Sequence, residues 1–147
     1  MNDTLTIQDR GCFLEFRASD ILAKMQTLIG IPFVDHGRDE TGIDCYGVLL
    51  KVMSFLGIEF PDPEKLTNSI DILRIMESEL TETKDYQFLD ILLFHGEGGA
   101  LNHVGICLDK LRFLHAQKVV GVSVSVLKDI WKRKFYKAYH ICKLNLS

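Results

Sequence analysis

The chain has 147 residues, of which 47% are hydrophobic and 25% are charged. This composition is typical of a globular protein and excludes a chain that is disordered over most of its length. Acidic residues outnumber basic ones by 20 to 17, whereas proteins that bind nucleic-acid phosphates carry a basic excess. We therefore expect no nucleic-acid partner, and we interpret the one basic cluster, Lys132-Arg133-Lys134, as a solvated face.

No apolar run approaches the roughly 18 residues that span a bilayer, so we expect no membrane partner. The N-terminal residues MNDTLTIQDRG include early acidic residues and lack the apolar stretch of a secretory signal. We therefore expect synthesis in the cytoplasm without a signal peptide. The length predicts a single domain over residues 1–147.

The first half of the sequence has the spacing of helices. Residues 1–18 predict an irregular segment with at most a short strand. A first helix is predicted from Ser19-Asp20 to Gly30, because a capping residue precedes apolar residues at helical spacing. Residues 31–43 are rich in turn formers and predict a loop. A second helix is predicted from Asp44 to Gly57, and a third from Leu66 to Leu80.

The second half is dominated by short apolar or alternating segments that predict β-strands. These strands are residues 88–94, 103–108, 112–117, 119–126 and 135–144. Helices followed by strands with short turns predict an α+β fold, in which N-terminal helices pack on a C-terminal antiparallel β-sheet.

Four cysteines are present, and none of them forms a C-x-x-C pair typical of zinc knuckles and thioredoxins. Cys12, Cys107 and Cys142 are interpreted as packed apolar residues. Cys45 differs, because the preceding Asp44 is a good N-cap and places this thiol at the first position of a helix. Unpaired N–H groups and the helix dipole favour the thiolate there, so we expect a depressed pKa for Cys45 and a nucleophilic role.

Two neighbours bear on this nucleophile. The carboxylate of Asp44 opposes ionisation of the adjacent thiol, and we expect it to face the backbone as a helix cap. Gly47 has no side chain and would let another element pass close to the first helical turn. The backbone N–H of Cys45 itself could help to hold an oxyanion.

A catalytic thiolate is usually paired with an imidazole that a third group orients. Among the five histidines, His103 and His115 flank one predicted hairpin. A three-residue loop over residues 109–111 would make them diagonal neighbours on one face, about 7 Å apart at the backbone. A two-residue loop would put them on opposite faces. Cys45, His103 and His115 also leave a zinc site open as an alternative.

These residues and their spacing resemble the NlpC family of papain-like cell-wall cysteine peptidases. The resemblance is carried by the strings GRDETGIDCYGVLLKV, LDILLF, NHVGICLDKLRFLHA and GVSVSVL, and it covers a core of about residues 20–130. His103 lies 58 residues after Cys45, and His115 lies 12 residues after His103. The form G-R-D-x-x-G-x-D-C-x-G is most similar to the branch of the family found in phage tail proteins.

The resemblance implies a papain-like NlpC-type fold and hydrolysis of a peptidoglycan stem-peptide amide through a thioester acyl-enzyme. It implies Cys45 as the nucleophile, His103 as the general base and later acid, and His115 as the group that orients His103. It implies neither a cofactor nor a metal.

The resemblance also implies substrate contacts close to the nucleophile, from Phe33, Asp44 and Tyr46. Phe33 stands where many members of the family have a tyrosine, so a hydroxyl that points into the site in those proteins is missing here. Tyr46 stands where a serine or tryptophan is common.

Several functions remain open. A tail-associated peptidase would reside in the virion tail or be delivered to the cell wall, with phage tail proteins as partners. Its substrate would be a wall peptide at infection or another tail protein during assembly. The first alternative is a type VI-like secreted peptidoglycan amidase toxin, whose partner would be an immunity protein. The second alternative is a non-catalytic tail structural or assembly subunit of the same fold.

Overall fold

The computed structural model describes residues 3–9, 12–65, 72–141 and 143–146. The helices in this part of the chain are α1 (Ala18–Gln26), α2 (Cys45–Phe55), α3 (Ile72–Glu79) and α4 (Ile130–Lys134). The strands are β1 (Thr4–Asp9), β2 (Cys12–Arg17), β3 (Arg38–Asp39), β4 (Gly42–Ile43), β5 (Thr81–Thr83), β6 (Ile91–Phe94), β7 (His103–Cys107), β8 (Arg112–Gln117), β9 (Gly121–Val126), β10 (Phe135–His140) and β11 (Lys143–Leu146).

A six-stranded sheet forms the centre of the molecule, in the order β5-β10-β6-β7-β8-β9. Each neighbouring pair in it is antiparallel. Helix α2 packs against β7 and β8. The predicted α+β fold, with helices on an antiparallel sheet, is confirmed.

The central sheet is covered on both faces at β6. Successive side chains of a strand point to opposite faces. Accordingly, Ile91 and Leu93 belong to the large core that includes α2, whereas Leu92 and Phe94 belong to a smaller apolar cluster. Trp131 of α4 packs on this smaller cluster. Both faces of β6 are therefore buried.

A second sheet, in the order β11-β1-β2, corrects the expectation that residues 1–18 are irregular. Strands β1 and β2 form a hairpin, and β1 also pairs with β11, where Leu5 lies opposite Leu146. Leu5 and Ile7 are buried, in the period-two pattern of a half-buried strand. The strand predicted over 135–144 is consequently two strands, one in each sheet.

The boundaries of α2 confirm the predicted helix. The residue before it, Asp44, has extended backbone angles, and its carboxylate accepts a hydrogen bond from the N–H of Gly47 at 2.8 Å. After the helix, Gly57 adopts a φ of +72°, the left-handed conformation that glycine accepts without strain. The sequence thus determines both ends of this element.

Other predicted elements match less closely. Helix α1 ends at Gln26, before the expected stop at Gly30. The predicted start of the third helix at Leu66 lies outside the described residues, as do Cys142 and the side chain of Cys12. None of the described helices is long and apolar enough to cross a bilayer.

Candidate active site

The hairpin of β7 and β8 brings two histidines together. Ile106 pairs with Leu114, and the N–H of Leu108 donates to the carbonyl of Arg112 at 2.9 Å, so the loop has three residues, as predicted. His103 and His115 therefore share a face, and Nε2 of His103 lies 2.8 Å from Nδ1 of His115. One of these nitrogens donates to the other, so the hydrogen bond between the two rings does not occupy Nδ1 of His103.

His115 is fully buried, with an exposed fraction of 0%. Its second nitrogen, Nε2, lies 2.7 Å from Oγ of Ser125 and 3.2 Å from the amide nitrogen of Gln117. The hairpin geometry could have indicated Ser125, since it lies on the next strand, and Gln117, since it follows His115 by two residues on the same face.

Trp131, the single tryptophan of the chain, packs on both imidazoles. Its ring stacks on that of His103, with centroids 5.3 Å apart and an interplanar angle of 25°. It meets the ring of His115 edge-on, at a centroid distance of 4.8 Å. These contacts hold both rings in place, and nothing in the local sequence indicated them.

Cys45 is the first residue of α2 and lines a cleft of about 380 Å³ together with His103 and Phe33. The strand end that carries His103 lies beside the first turn of α2. The thiol of Cys45 donates to the carbonyl oxygen of Asn102 at 3.7 Å, and not to the imidazole of His103. The structure thus brings together the predicted nucleophile and the predicted base in one cleft, with the thiol turned to the backbone.

Burial raises the pKa of the Cys45 thiol to about 11, and the nearby Asp44 carboxylate raises it as well. The backbone N–H groups of Val104 and Tyr46 act in the opposite direction without offsetting burial. The expected depression of the Cys45 pKa is therefore wrong for the free protein. The physical reason is that removing a thiolate from water costs more than these N–H groups and the charge of Arg38 contribute.

Burial also lowers the pKa of the two histidines, to about 4 for His103 and about 3 for His115. The positive charge of Lys134 contributes to the shift of His103, and His103 contributes to that of His115. At neutral pH both imidazoles are therefore neutral, and the cysteine proton resides on sulfur.

Asp44 is a helix cap, as expected, and it is also part of an ion-pair network. Nη1 of Arg38 donates to the Asp44 carboxylate at 2.7 Å, and the same guanidinium binds Asp62 through two hydrogen bonds of 3.1 Å. The backbone N–H of His36 also donates to Asp44, at 3.1 Å. Asp44 thus connects the cleft to the loop that precedes α2. Arg38 stabilises this connection, a function that the sequence pattern did not indicate.

Two further residues of the nucleophile motif have structural functions. A Cβ added at Gly47 would lie 2.6 Å from the carbonyl oxygen of Gly37 and 2.5 Å from Cγ1 of Ile43, so this glycine permits the close approach that was predicted. Tyr46 is 3% exposed, and its hydroxyl donates to the carbonyl of Pro61 at 2.6 Å. Tyr46 is thus a buried residue, although the resemblance implied a substrate contact at this position.

The basic cluster at 132–134 is more than a solvated face. Lys132 and Arg133 are exposed, as expected, but Lys134 lines the cleft. Its Nζ lies 5.2 Å from the centroid of the Trp131 ring, which is cation–π geometry. Lys134 therefore places a positive charge beside the candidate site.

In the described parts of the chain, no group of three or more His, Cys, Asp or Glu side chains is arranged to hold a metal ion.

Residues 30–140 match the NlpC/P60 family. The chain belongs to the NlpC/P60 family. Members of the NlpC/P60 family are cysteine peptidases or related hydrolases. No curated protein sequence matches the chain.

Solved NlpC/P60 structures share the fold. A lipoprotein-like family member from Staphylococcus aureus is 24% identical, with a TM-score of 0.67 over 84% of this chain and 40% of its own length. A Bacillus cereus member is 17% identical, with a TM-score of 0.70 over 91% of this chain and 46% of its own length. The chain thus spans less than half the length of these two proteins.

The NlpC/P60 domain of the peptidoglycan hydrolase SagA is similar in size to this chain. It is 25% identical, with a TM-score of 0.64, and the match covers 85% of this chain and 99% of that domain. This chain therefore has the NlpC/P60 fold, including the predicted helices and sheet.

Proposed function

We propose that this NlpC/P60 chain is a cysteine peptidase that hydrolyses an amide bond of peptidoglycan stem peptides. The observation that carries the proposal is the hydrogen bond between Nε2 of His103 and Nδ1 of His115, since His103 lines the same cleft as Cys45. A nucleophile, a base and a group that orients the base are the parts that covalent amide hydrolysis requires. The name of one related structure supports the substrate class, because SagA is called a peptidoglycan hydrolase.

The reaction proceeds in two halves. Nδ1 of His103 takes the thiol proton while Sγ of Cys45 forms a bond to the carbonyl carbon of the amide. His103 then gives this proton to the departing amine nitrogen as the C–N bond breaks, leaving a thioester. A water molecule gives a proton to His103 and attacks the thioester, and the resulting acid departs while the thiol regains its proton.

In this site the proton starts on the thiol of Cys45. A site with a preformed ion pair would instead hold a thiolate and a protonated imidazole before substrate binds. With the Cys45 pKa raised to about 11 and the His103 pKa lowered to about 4, the neutral pair predominates in the free protein. Proton transfer therefore accompanies the attack on the substrate. The thiol must also leave the carbonyl of Asn102 and turn to His103, which substrate in the cleft would induce.

We also propose that the enzyme is associated with a phage or prophage tail and reaches the wall with the particle. The support is the G-R-D-x-x-G-x-D-C-x-G form of the nucleophile motif. Particles purified from a strain that carries the gene should contain the chain in their tail fraction, as measured by mass spectrometry. Its presence only outside particles would contradict this association.

The hydrolase proposal is tested by incubating the purified protein with peptidoglycan and with synthetic stem peptides, and by following new amino groups with mass spectrometry. Cys45→Ala should keep the circular-dichroism spectrum and lose at least about 10⁴-fold in turnover. Cys107→Ala is the matched control, because Cys107 is a buried thiol of the smaller apolar cluster. Undiminished hydrolysis by Cys45→Ala would refute Cys45 as the nucleophile.

A second candidate, a non-catalytic tail subunit of the same fold, is favoured by one observation. The thiol of Cys45 donates to a backbone carbonyl and has a raised pKa, which is the state of an unreactive thiol. This candidate predicts no turnover on any wall peptide or tail protein by the wild-type chain. Turnover that depends on Cys45 would exclude it.

A further inference from the structure

Two side chains besides His103 contact the imidazole of His115, and they differ in the hydrogen bonds that they can make. Nε2 of His115 lies 2.7 Å from Oγ of Ser125 and 3.2 Å from the amide nitrogen of Gln117. The hydroxyl of Ser125 can either accept a hydrogen bond from this nitrogen or donate one to it, whereas an amide nitrogen can only donate to it. Ser125 is therefore the neighbour that can accept the proton of an Nε2–H tautomer, whereas the amide nitrogen of Gln117 favours the other tautomer of the same ring.

Each tautomer of His115 determines the tautomer of His103 through the 2.8 Å hydrogen bond between them. If Nε2 of His115 carries the proton and donates to Ser125, Nδ1 of His115 accepts from Nε2 of His103. Nδ1 of His103 is then bare and can take the thiol proton. If Gln117 donates to Nε2, the proton of His115 lies on Nδ1 and is donated to His103, whose own proton must lie on Nδ1, where it blocks the base.

We infer that Ser125 and Gln117 are positioning residues, and that Ser125 holds the His115–His103 pair in the tautomer that leaves Nδ1 of His103 free. The inference rests on the proposed function, because only a general base needs that nitrogen bare. The amide of Gln117 lies 3.5 Å from Oγ of Ser125, so the two side chains share one hydrogen-bonded group.

Because His115 is buried, the choice between its two tautomers affects His103. His115 is fully buried, so no bulk water competes for its nitrogens. A neutral ring that lacks an acceptor at Nε2 leaves a buried N–H unpaired, which is costly. Without Ser125, the pair therefore moves to the tautomer that Gln117 favours, and His103 loses its free nitrogen.

The direct test is ¹⁵N NMR of the imidazoles in the full chain, since ring-nitrogen shifts distinguish the tautomers without any substrate. In the wild type, both rings should carry their proton on Nε2. In Ser125→Ala, the populations should shift toward Nδ1–H, and hydrolysis should fall about tenfold in kcat with KM little changed. Ser123→Ala is the matched control, because this serine lies on the same strand two residues earlier; its spectrum and activity should equal those of the wild type.

A rescue variant separates positioning from folding. In Ser125→Ala combined with Gln117→Glu, the carboxylate only accepts, so the Nε2–H tautomer and most of the lost turnover should return. A wild type with Nδ1–H on His103, or a Ser125→Ala spectrum unchanged from the wild type, would overturn the inference. If the tautomers behave as described but no peptide is cleaved by any variant, the proposed function fails while the assignment of Ser125 stands.

Discussion

Nε2 of His103 lies 2.8 Å from Nδ1 of His115, and the three-residue loop between β7 and β8 creates this relationship. One residue fewer in the loop would turn the two side chains to opposite faces of the sheet. The three-residue loop over residues 109–111 is confirmed by the hydrogen bond from the N–H of Leu108 to the carbonyl of Arg112. A hairpin register thus decides whether the base of the candidate site has a partner.

The first prediction concerns the thiol. Asp44→Asn removes a carboxylate that raises the pKa of Cys45 but retains a side chain that caps helices well. The pKa of Cys45 should therefore be lower than in the wild type, and alkylation should become rapid at lower pH. The measurement is the rate of iodoacetamide labelling against pH, with the labelled cysteine identified by mass mapping.

Asp35→Asn is the control for this experiment, because Asp35 lines the same cleft without capping the helix. Its labelling profile should be close to that of the wild type. In the wild type itself, labelling of Cys45 at pH 7 should be slower than for a free cysteine with its pKa of about 8.5. Labelling that is already maximal at pH 7 would show that the thiolate predominates and would contradict the raised pKa.

The second prediction concerns the base. Lys134 contributes to the lowered pKa of His103, so Lys134→Met should raise that pKa. His103 accepts a proton only while it is neutral, and hydrolysis is lost as the pH falls through its pKa. The acid limb of the pH–rate profile should therefore move to higher pH. Lys132→Met removes an equal charge from an exposed site and should leave this limb in place.

The third prediction concerns stability. Arg38→Met leaves the carboxylates of Asp44 and Asp62 close together without their shared cation. Because these groups are largely shielded from solvent, the loss should be about 2 kcal/mol in the free energy of unfolding, measured with urea. Arg112→Met breaks an exposed ion pair with Asp109 and should cost less than about 1 kcal/mol. Equal losses in the two variants would contradict the importance of the buried network.

The fourth prediction concerns the glycine of the nucleophile motif. The methyl group of Gly47→Ala would meet the backbone of Gly37 and the side chain of Ile43, so the first turn of α2 should be displaced. We expect a loss of roughly 1–3 kcal/mol in the free energy of unfolding, together with reduced hydrolysis. Ser54→Ala, at an exposed position of the same helix, should change stability by no more than about 0.5 kcal/mol. Unchanged activity in Gly47→Ala would show that Cys45 does not depend on this contact.

Local patterns predicted α2 and the hairpin of β7 and β8 well. The cap at Asp44, the left-handed Gly57 and the alternation of the strands are all properties of neighbouring residues. The second sheet was missed although Leu5 and Ile7 alternate with polar residues. Its β1 pairs with β11 from the opposite end of the chain, and no local pattern contains that pairing.

The sequence by itself determined the elements that carry Cys45, His103 and His115, because caps, glycines and strand periodicity act over a few residues. Only the tertiary structure decided the state of these groups. Burial, which depends on everything packed around a site, raises the pKa of Cys45 against the expectation from the helix dipole, and it also lowers the pKa of His103. The contacts of Trp131 with the imidazoles are likewise tertiary, since distant segments meet only in the folded chain.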